Sequence, residues 1–575
     1  MARFTLNDSR RLTGENLYWD RPSAIIDVDF DSDSVSADSF IDAWKSAVEP
    51  LLVAVGHAEQ ATTVRQFKGG MSLLVSAPVD ALYSMCELNE VAFAMALAEI
   101  DDGPAVAFQK EVGRLKSEFS EEAYPPVLKM QAAAEQHGVP FLWDDDEVSA
   151  GYGRTALVWP ANAVPEPDSV DWAEVGSIPV GLVTGTNGKS TTVRMSASII
   201  RAAGLKAGLT STDWIRVGGQ ILDDGDYSGP GGARTLMRHP ETEIAVLEVA
   251  RGGLLRRGLG VERAAAALVT NVAADHLGEY GINTVSELTD AKFIVRRALK
   301  GDAPLILNAD DERSVTRSKS LEESFTENSI RKLVWFSLDP DNPVLQQHLA
   351  EGGRGACLND GWLELRSATG TRRIIHAGDI PATMEGAAEH NVSNALAAMA
   401  LCRELGIEEE ALKDGLKVFR GDEADNPGRG NWFEKDGVRI LVDFAHNEHG
   451  VTALSNMVNH MDAKRILLLM GQAGDRSDKD IRDLTVAGCG MSPDHLTICE
   501  MPGYERGREV GEVARLIRMA ALESGVSPDS ISHHESPSAA AEFALENARS
   551  GDLLILLALT QREKVLGLVH EFVGQ

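Results

Sequence analysis

VGLVTGTNGKSTTVRMSASII, residues Val180–Ile200, runs from an apolar stretch through a glycine-bearing turn into helix-tolerant residues. The apolar run IPVGLV reads as a buried strand. The turn is Gly185-Thr186-Asn187-Gly188-Lys189-Ser190. Strand, glycine turn and helix form the layout of a phosphate-binding loop. Glycines let backbone N–H groups close on phosphate oxygens, and the helix N-terminus adds partial positive charge. Lys189 is placed to reach β- and γ-phosphates, and Ser190 or Thr191 to ligate Mg2+. The general pattern G-x-x-x-x-G-K-[ST] is met only in part, because its first glycine would fall at Val183 and the loop has Gly185 instead.

The chain of 575 residues is long enough for three or four domains. Its 43% hydrophobic and 25% charged content is that of a soluble globular protein. A net charge of −32 argues against nucleic acid or an anionic membrane as partner, since both need a basic footprint. The five cysteines, Cys86, Cys357, Cys402, Cys489 and Cys499, form no CxxC pair and read as reduced thiols in a cytoplasm. The opening MARFTLNDSRR has no apolar core of a signal peptide, and no window suggests a membrane span.

Residues 1–165 read as a small α+β domain without a nucleophile, metal cluster or phosphate loop. SAIIDVDFDSD and MSLLVSAPV are its strand candidates, and His57 and His137 stand alone in structural or surface roles. Residues 161–177, rich in Pro and acidic side chains, read as a linker. Beyond the phosphate loop, GGQILDDGDYSGPGGARTLMRHP is too glycine-rich for a regular element and reads as a loop. The strand EIAVLEVA ends in Glu248, AAAALVT is followed by Asn271, Asp275 and His276, and APLILN is followed by Asp310 and Asp311. Lys292 lies in a helical run sixteen residues past His276. Carboxylates at the C-terminal ends of strands beside a phosphate loop are where a metal–nucleotide is held in open α/β sheets. Residues 325–385 read as short strands of an antiparallel subdomain. The helix that follows carries His390, Asn391 and Asn394 at its start. From Asp425 onward, strands alternate with helices, the pattern of a Rossmann-like parallel sheet. No G-x-G-x-x-G appears, so a dinucleotide is not expected.

GTNGKST, the strand-end Glu, the DH pair, the downstream Lys, HNVSNALAA, PGR and DFAHN together resemble the Mur ligases over residues 172–575. DYSGPGGARTLMRHPETEIAVLEVARGGLLRRGLG and NVAADHLG are similar to the Mur-like half of the cyanophycin synthetases, and RRLTGENLYWDRPSAIIDV resembles the opening of their N-terminal domain. That family carries an ATP-grasp domain between these two parts, and none fits here, where about 170 residues precede the phosphate-loop unit. The resemblance implies an α/β multidomain fold. Its parts are an N-terminal α+β domain (1–165), a central ATP-binding domain with a parallel sheet (172–423) and a Rossmann-like C-terminal domain (424–575).

It also implies an ATP- and Mg2+-dependent ligase that joins an amine to a carboxylate through an acyl phosphate. Lys189, His276 and Lys292 take the catalytic positions. Gly185, Thr186, Asn187, Gly188, Lys189, Ser190, Thr191, Asn391, Asn394, Arg429 and Asp443 bind the nucleotide, with His446 and Asn447 flanking it. Ser190, Glu248 and His276 take the metal positions, and Lys292 matches a lysine that is often carbamylated in Mur ligases. The expected acceptor is an aspartyl carboxylate of a peptide or cyanophycin-like polymer, and the expected amine is Arg or Lys. Asp223, Asp224 and Asp226 are placed either to hold such a cation or simply to be solvated. The alternatives are a ligase for another small carboxylate or dipeptide, a non-catalytic ATP-binding partner of a separate ATP-grasp protein, and a P-loop NTPase or kinase. Relatives form oligomers, so a homodimer or homotetramer is expected.

Overall fold

The computed structural model describes residues 3–31, 36–100, 105–322 and 332–574. The first unit pairs β1 (Phe4–Leu12), β2 (Ser23–Phe30), β3 (Thr62–Phe67) and β4 (Gly70–Ser76) in the order β1-β2-β4-β3. Sequence reading leaves β1 and β3 unassigned, because their polar, half-exposed residues show no apolar run. A second small sheet, β5 (Phe141–Trp143), β6 (Glu147–Ala150) and β7 (Leu157–Pro160), follows. The expected linker is not one along its whole length. Val164, Val170, Trp172 and Val175 pack into the core of this sheet, and Trp172 stacks on His137 with ring centroids 4.6 Å apart.

The central sheet is built from β8 (Val180–Thr184), β9 (Ala207–Thr210), β10 (Trp214–Val217), β11 (Gln220–Asp224), β12 (Ile244–Glu248), β13 (Ala266–Val269), β14 (Leu305–Asn308), β15 (Leu333–Ser337), β16 (Arg354–Asn359), β17 (Trp362–Ser367) and β18 (Gly370–His376). Its order is β11-β10-β9-β12-β8-β13-β14-β15-β16-β17-β18. From β9 to β16 the strands run parallel, and the pairs at both edges are antiparallel. Every residue of β8, β12, β13 and β14 is buried, as a parallel sheet covered on both faces requires.

Two expectations are corrected here. Residues 333–376 are not a separate antiparallel subdomain, since β15 and β16 continue the parallel sheet. Residues 325–331 of that span lie outside the described residues. The glycine-rich stretch is not all loop. Gly218-Gly219 is the turn of a β10–β11 hairpin, and Pro230 opens the helix Pro230–Arg238.

The helices Lys189–Ala202 and Glu389–Glu404 pack against each other on the sheet. The run Ala395–Cys402 is buried all round, which its alanines permit by allowing close helix approach. The C-terminal domain orders β19 (Asn431–Lys435), β20 (Val438–Asp443), β21 (Arg465–Met470), β22 (His495–Cys499), β23 (Ile531–His534) and β24 (Asp552–Leu557) as β19-β20-β24-β21-β22-β23. It is parallel apart from β19.

Glu262 sits where the small β5–β7 sheet meets the central sheet. It accepts a hydrogen bond from Phe141 N at 3.2 Å. Burial, reinforced by nearby Glu15, pushes its carboxyl from 4.5 up to about 7. Between those pH values the folded chain holds a proton that the unfolded chain has lost, so stability falls as pH rises, by about 3 kcal/mol in total. Glu262→Gln keeps the acceptor and removes this slope. Its unfolding midpoint is expected to drop less than that of the parent as pH rises from 4.5 to 7 and to lie above it at pH 8, as read by thermal denaturation across pH.

Candidate functional site

The carboxyl ends of the central strands and those of the C-terminal sheet open on one cleft of about 1070 Å³. β8 lies between β12 and β13, where the strand order reverses, which is the crevice at which open α/β sheets bind ligands. The loop after β8 needs its glycines. Gly185 has φ +144° and a Cβ there would lie 1.9 Å from Thr270 Oγ1. Gly188 has φ +82° and a Cβ there would meet Asn394 Oδ1 at 2.2 Å. The loop is pinned to the end of β13. Thr186 N donates to Asn271 O at 2.8 Å, Asn187 N to Asn271 Oδ1 at 3.0 Å, and Thr270 Oγ1 to Asn187 O at 2.6 Å.

Two lysines converge on this loop. Lys189 Nζ donates to Thr186 O at 3.0 Å, and Lys292 Nζ donates to Gly185 O at 2.7 Å. Lys292 is buried, and burial followed by the Lys189 charge pushes its amine well below the ordinary lysine value.

Glu248, the last residue of β12, is 2% exposed. Its Oε2 accepts from Thr212 N at 3.4 Å, and its Oε1 has no hydrogen-bond partner among the described residues. Ser190 Oγ lies 3.4 Å from Thr212 Oγ1, so Thr212 touches two of the three expected metal ligands, Ser190 and Glu248. A buried carboxylate oxygen left unbonded beside hydroxyl oxygens is an oxygen donor set that fits a hard divalent cation.

His276 has a left-handed backbone, φ +50°. A ring nitrogen of His276, a carboxylate oxygen of Asp275 and a ring nitrogen of His446 lie within 4.8 Å of one another, as do ligand atoms of His276, Glu279 and Asp475. Arg476 enters this cluster, donating to Asp275 Oδ1 at 3.0 Å and lying 2.8 Å from His276 Nε2. Arg251 donates to His276 O at 2.6 Å and pairs with Glu279. Burial alone would raise the Asp275 carboxyl, but His446, His276, Arg476 and Lys292 hold it at about 2. Burial lowers His446 to about 4, leaving its ring neutral.

Thr191, Asn391, Asn394, Arg429 and Asp443 also line the cleft. Asn391 Nδ2 donates to Ala382 O at 2.8 Å, and Asn394 Nδ2 donates to Asn391 Oδ1 at 3.2 Å. Arg429 lies over the Phe444 ring at 4.7 Å and donates to Thr212 Oγ1 at 3.1 Å. Asp443 Oδ1 accepts from Ala445 N at 2.7 Å, and burial raises its carboxyl. Asn187 and Asn447 exchange two amide hydrogen bonds, at 3.1 and 3.0 Å, between the central and C-terminal domains. Of the three loop aspartates only Asp226 lines the cleft; Asp223 and Asp224 lie on the edge strand β11.

Sequence reading assigned no role to Arg251, Arg476, Thr212 or the cluster around Asp213. Asp213 bonds Arg194 of the phosphate-loop helix and Arg562 of the C-terminal domain, the latter at 2.7 Å. Arg194 donates in turn to Asn426 at 2.5 Å, and Asn426 donates to Thr191 Oγ1 at 3.2 Å. The Arg194 side chain is 3% exposed. Asp213→Ala would leave that cation buried without its carboxylate and is expected to cost about 3 kcal/mol or more, read as a lowered denaturation midpoint. The available signal is an aspartate between Thr212 and Trp214 in a strand-like run, and it does not separate such a hub from a surface side chain.

Family models match residues 183–402 as the Mur ligase middle domain and residues 428–558 as the Mur ligase glutamate ligase domain. The cyanophycin synthetase of Geminocystis herdmanii is 35% identical over 64% of this chain and 42% of its own length. That of Trichormus variabilis is 34% identical over 70% of this chain and 44% of its own length. The chain thus spans less than half the length of these curated relatives. The solved structure "E.coli FolC in complex with ADP, without folate substrate" matches with a TM-score of 0.52 at 20% identity, over 69% of this chain and 90% of that one, a likeness of fold. Through its middle and glutamate ligase domains, the chain belongs to the Mur ligase family.

Proposed function

We propose that the chain is an ATP-dependent, ADP-forming ligase that joins an amine to a carboxylate. The observation that carries this reading is Glu248, whose buried unbonded Oε1 stands beside the phosphate loop on the floor of a cleft shared with the C-terminal domain. A carboxylate oxygen attacks the γ-phosphorus, ADP leaves, and an acyl phosphate forms. An amine then attacks the acyl carbon, and phosphate leaves with the electron pair of the C–O bond while the amine loses a proton. Phosphoryl transfer of this kind is catalysed by positioning and charge neutralisation.

The backbone N–H groups around Gly188 and the Lys189 ammonium bind the phosphates. Ser190 and Glu248 would hold Mg2+, which would neutralise phosphate charge. His276 faces the same space, and Lys292, whose amine is lowered by burial, is a candidate for carbamylation. Asn391 and Asn394 lie on the adenine side, and Arg429 and Asp443 close from the C-terminal domain. Asp226 on the cleft wall suits a cationic amine such as arginine or lysine, whereas Asp275, Glu279 and Asp475 already pair with Arg476, Arg251 and Arg506. By similarity to the cyanophycin synthetases, the acceptor is an aspartyl carboxylate of a peptide or polymer. The five cysteines are free thiols, and no helix among the described residues is long and apolar enough to cross a membrane. Both facts support a cytoplasmic setting.

The test is ADP release with ATP, Mg2+ and a panel of carboxylates and amines, with products of β-aspartyl peptides read by mass spectrometry. Amine-dependent ADP formation with a product heavier by the amine less water is the expected result. ADP formation that responds to no amine would overturn the reading.

A further inference from the structure

The N-terminal unit lies outside both matched domains, yet it grips the two supports of His276. The segment His276–Gly281 carries positive φ at His276, Gly278, Tyr280 and Gly281, two of them not glycine. Such backbone persists only where the surroundings hold it. Within the central domain the segment keeps two internal backbone bonds, Gly278 N to Ile282 O at 2.8 Å and Ile282 N to Glu279 O at 3.0 Å.

Arg251 and Arg476 hold His276, and Ile282 is buried in the central core; further support comes from β1 and the β3–β4 hairpin. Arg65 donates to Gly281 O and to Glu287 Oε1, both at 2.9 Å. The Phe67 ring lies on Gly281 so closely that a Cβ there would be 2.5 Å away. The Arg10 guanidinium lies 5.1 Å from the Tyr280 ring centroid and its Nε donates to Leu255 O at 3.2 Å. Thr13 N donates to Arg257 O at 2.7 Å, holding the end of the helix Arg251–Arg257. That helix presents the Arg251 side chain that holds the His276 carbonyl.

We infer that the N-terminal unit braces the His276 loop, with Arg65 and Phe67 as positioning residues that act through Gly281. The consequence for turnover rests on the ligase reading above; the brace itself does not. Arg65 and Phe67 are the better probes, because truncating Arg10 would leave the buried Asp27 without its partner at 2.5 Å.

The experiment compares the full chain with Arg65→Gln/Phe67→Ala by hydrogen exchange and by ADP-formation kinetics. The Gly278 and Ile282 amides are expected to exchange at least about 10-fold faster, while amides of the helix Lys189–Ala202 are unchanged. The kcat falls at least about 10-fold with the ATP KM within about twofold, because a misplaced side chain costs rate rather than nucleotide binding. Arg65→Lys, which can reach Gly281 O or Glu287 but not both, recovers part of the kcat. Gly281→Ala loosens the same two amides from the loop side with the N-terminal unit intact. Unchanged exchange in both variants would overturn the brace, and faster exchange with unchanged kcat would overturn the positioning role. If the parent shows no turnover, the ligase reading fails and the exchange data still decide the brace.

Discussion

Lys189→Ala is expected to abolish amine-dependent ADP formation, with kcat lower by at least about 10³-fold. The side chain is the first residue of the helix that follows the phosphate loop, and its ammonium now rests on Thr186 O at 3.0 Å. A phosphate in the loop offers that ammonium a better partner than a peptide carbonyl. On the ligase reading, charge on the γ-phosphoryl group develops beside Lys189, while Lys292 is engaged with Gly185 O and its amine is lowered by burial. Alanine is a good first helical residue, and the loop is held by Thr270 and Asn271, so the fold is expected to stay within about 1 kcal/mol of the parent. Kinetics and thermal denaturation of the same sample separate the two effects. Turnover that survives the substitution would remove the phosphate loop from the chemistry.

The polar residues that close apolar runs were legible in the sequence, and the fold shows why. Glu248, Asn271, Asn308 and Asp443 each follow or end a buried strand, and those strand ends meet at one cleft. Strand order was not legible, because pairing β12 between β8 and β9 depends on which apolar runs meet across distance, and all of them read alike. Arg251 and Arg476 were missed for a related reason. Their partners, His276 O and Asp275, lie 25 and 201 residues away, and an arginine after a strand looks the same whether it faces solvent or a carboxylate. The stretch around Gly218 and Pro230 was misread by its glycine content, although a Gly-Gly turn and a helix-opening proline were both present.

Glu248→Gln separates stability from activity at one atom. In the folded chain Glu248 Oε1 is buried and unbonded, and Thr212 N is 3.4 Å from Oε2. A buried carboxylate in that state is held at a cost unless a cation is bound. Glutamine keeps the shape and the acceptor for Thr212 and removes the charge. Without metal, the variant is therefore expected to be as stable as the parent or more so, by about 1 kcal/mol. Mg2+ with ATP should raise the parent's melting temperature, since a ligand that binds only the folded chain stabilises it by mass action. The same addition should move the variant much less, because a neutral amide is a weak partner for Mg2+ and its NH2 group presents hydrogens to the cation. Its kcat should fall at least about 10²-fold, with partial recovery as Mg2+ is raised. A variant that keeps full turnover and the full Mg2+-dependent shift would show that the carboxylate holds no metal. A variant that loses stability without metal would show that Oε1 is bonded in the folded chain after all, and that its burial serves the fold rather than the reaction.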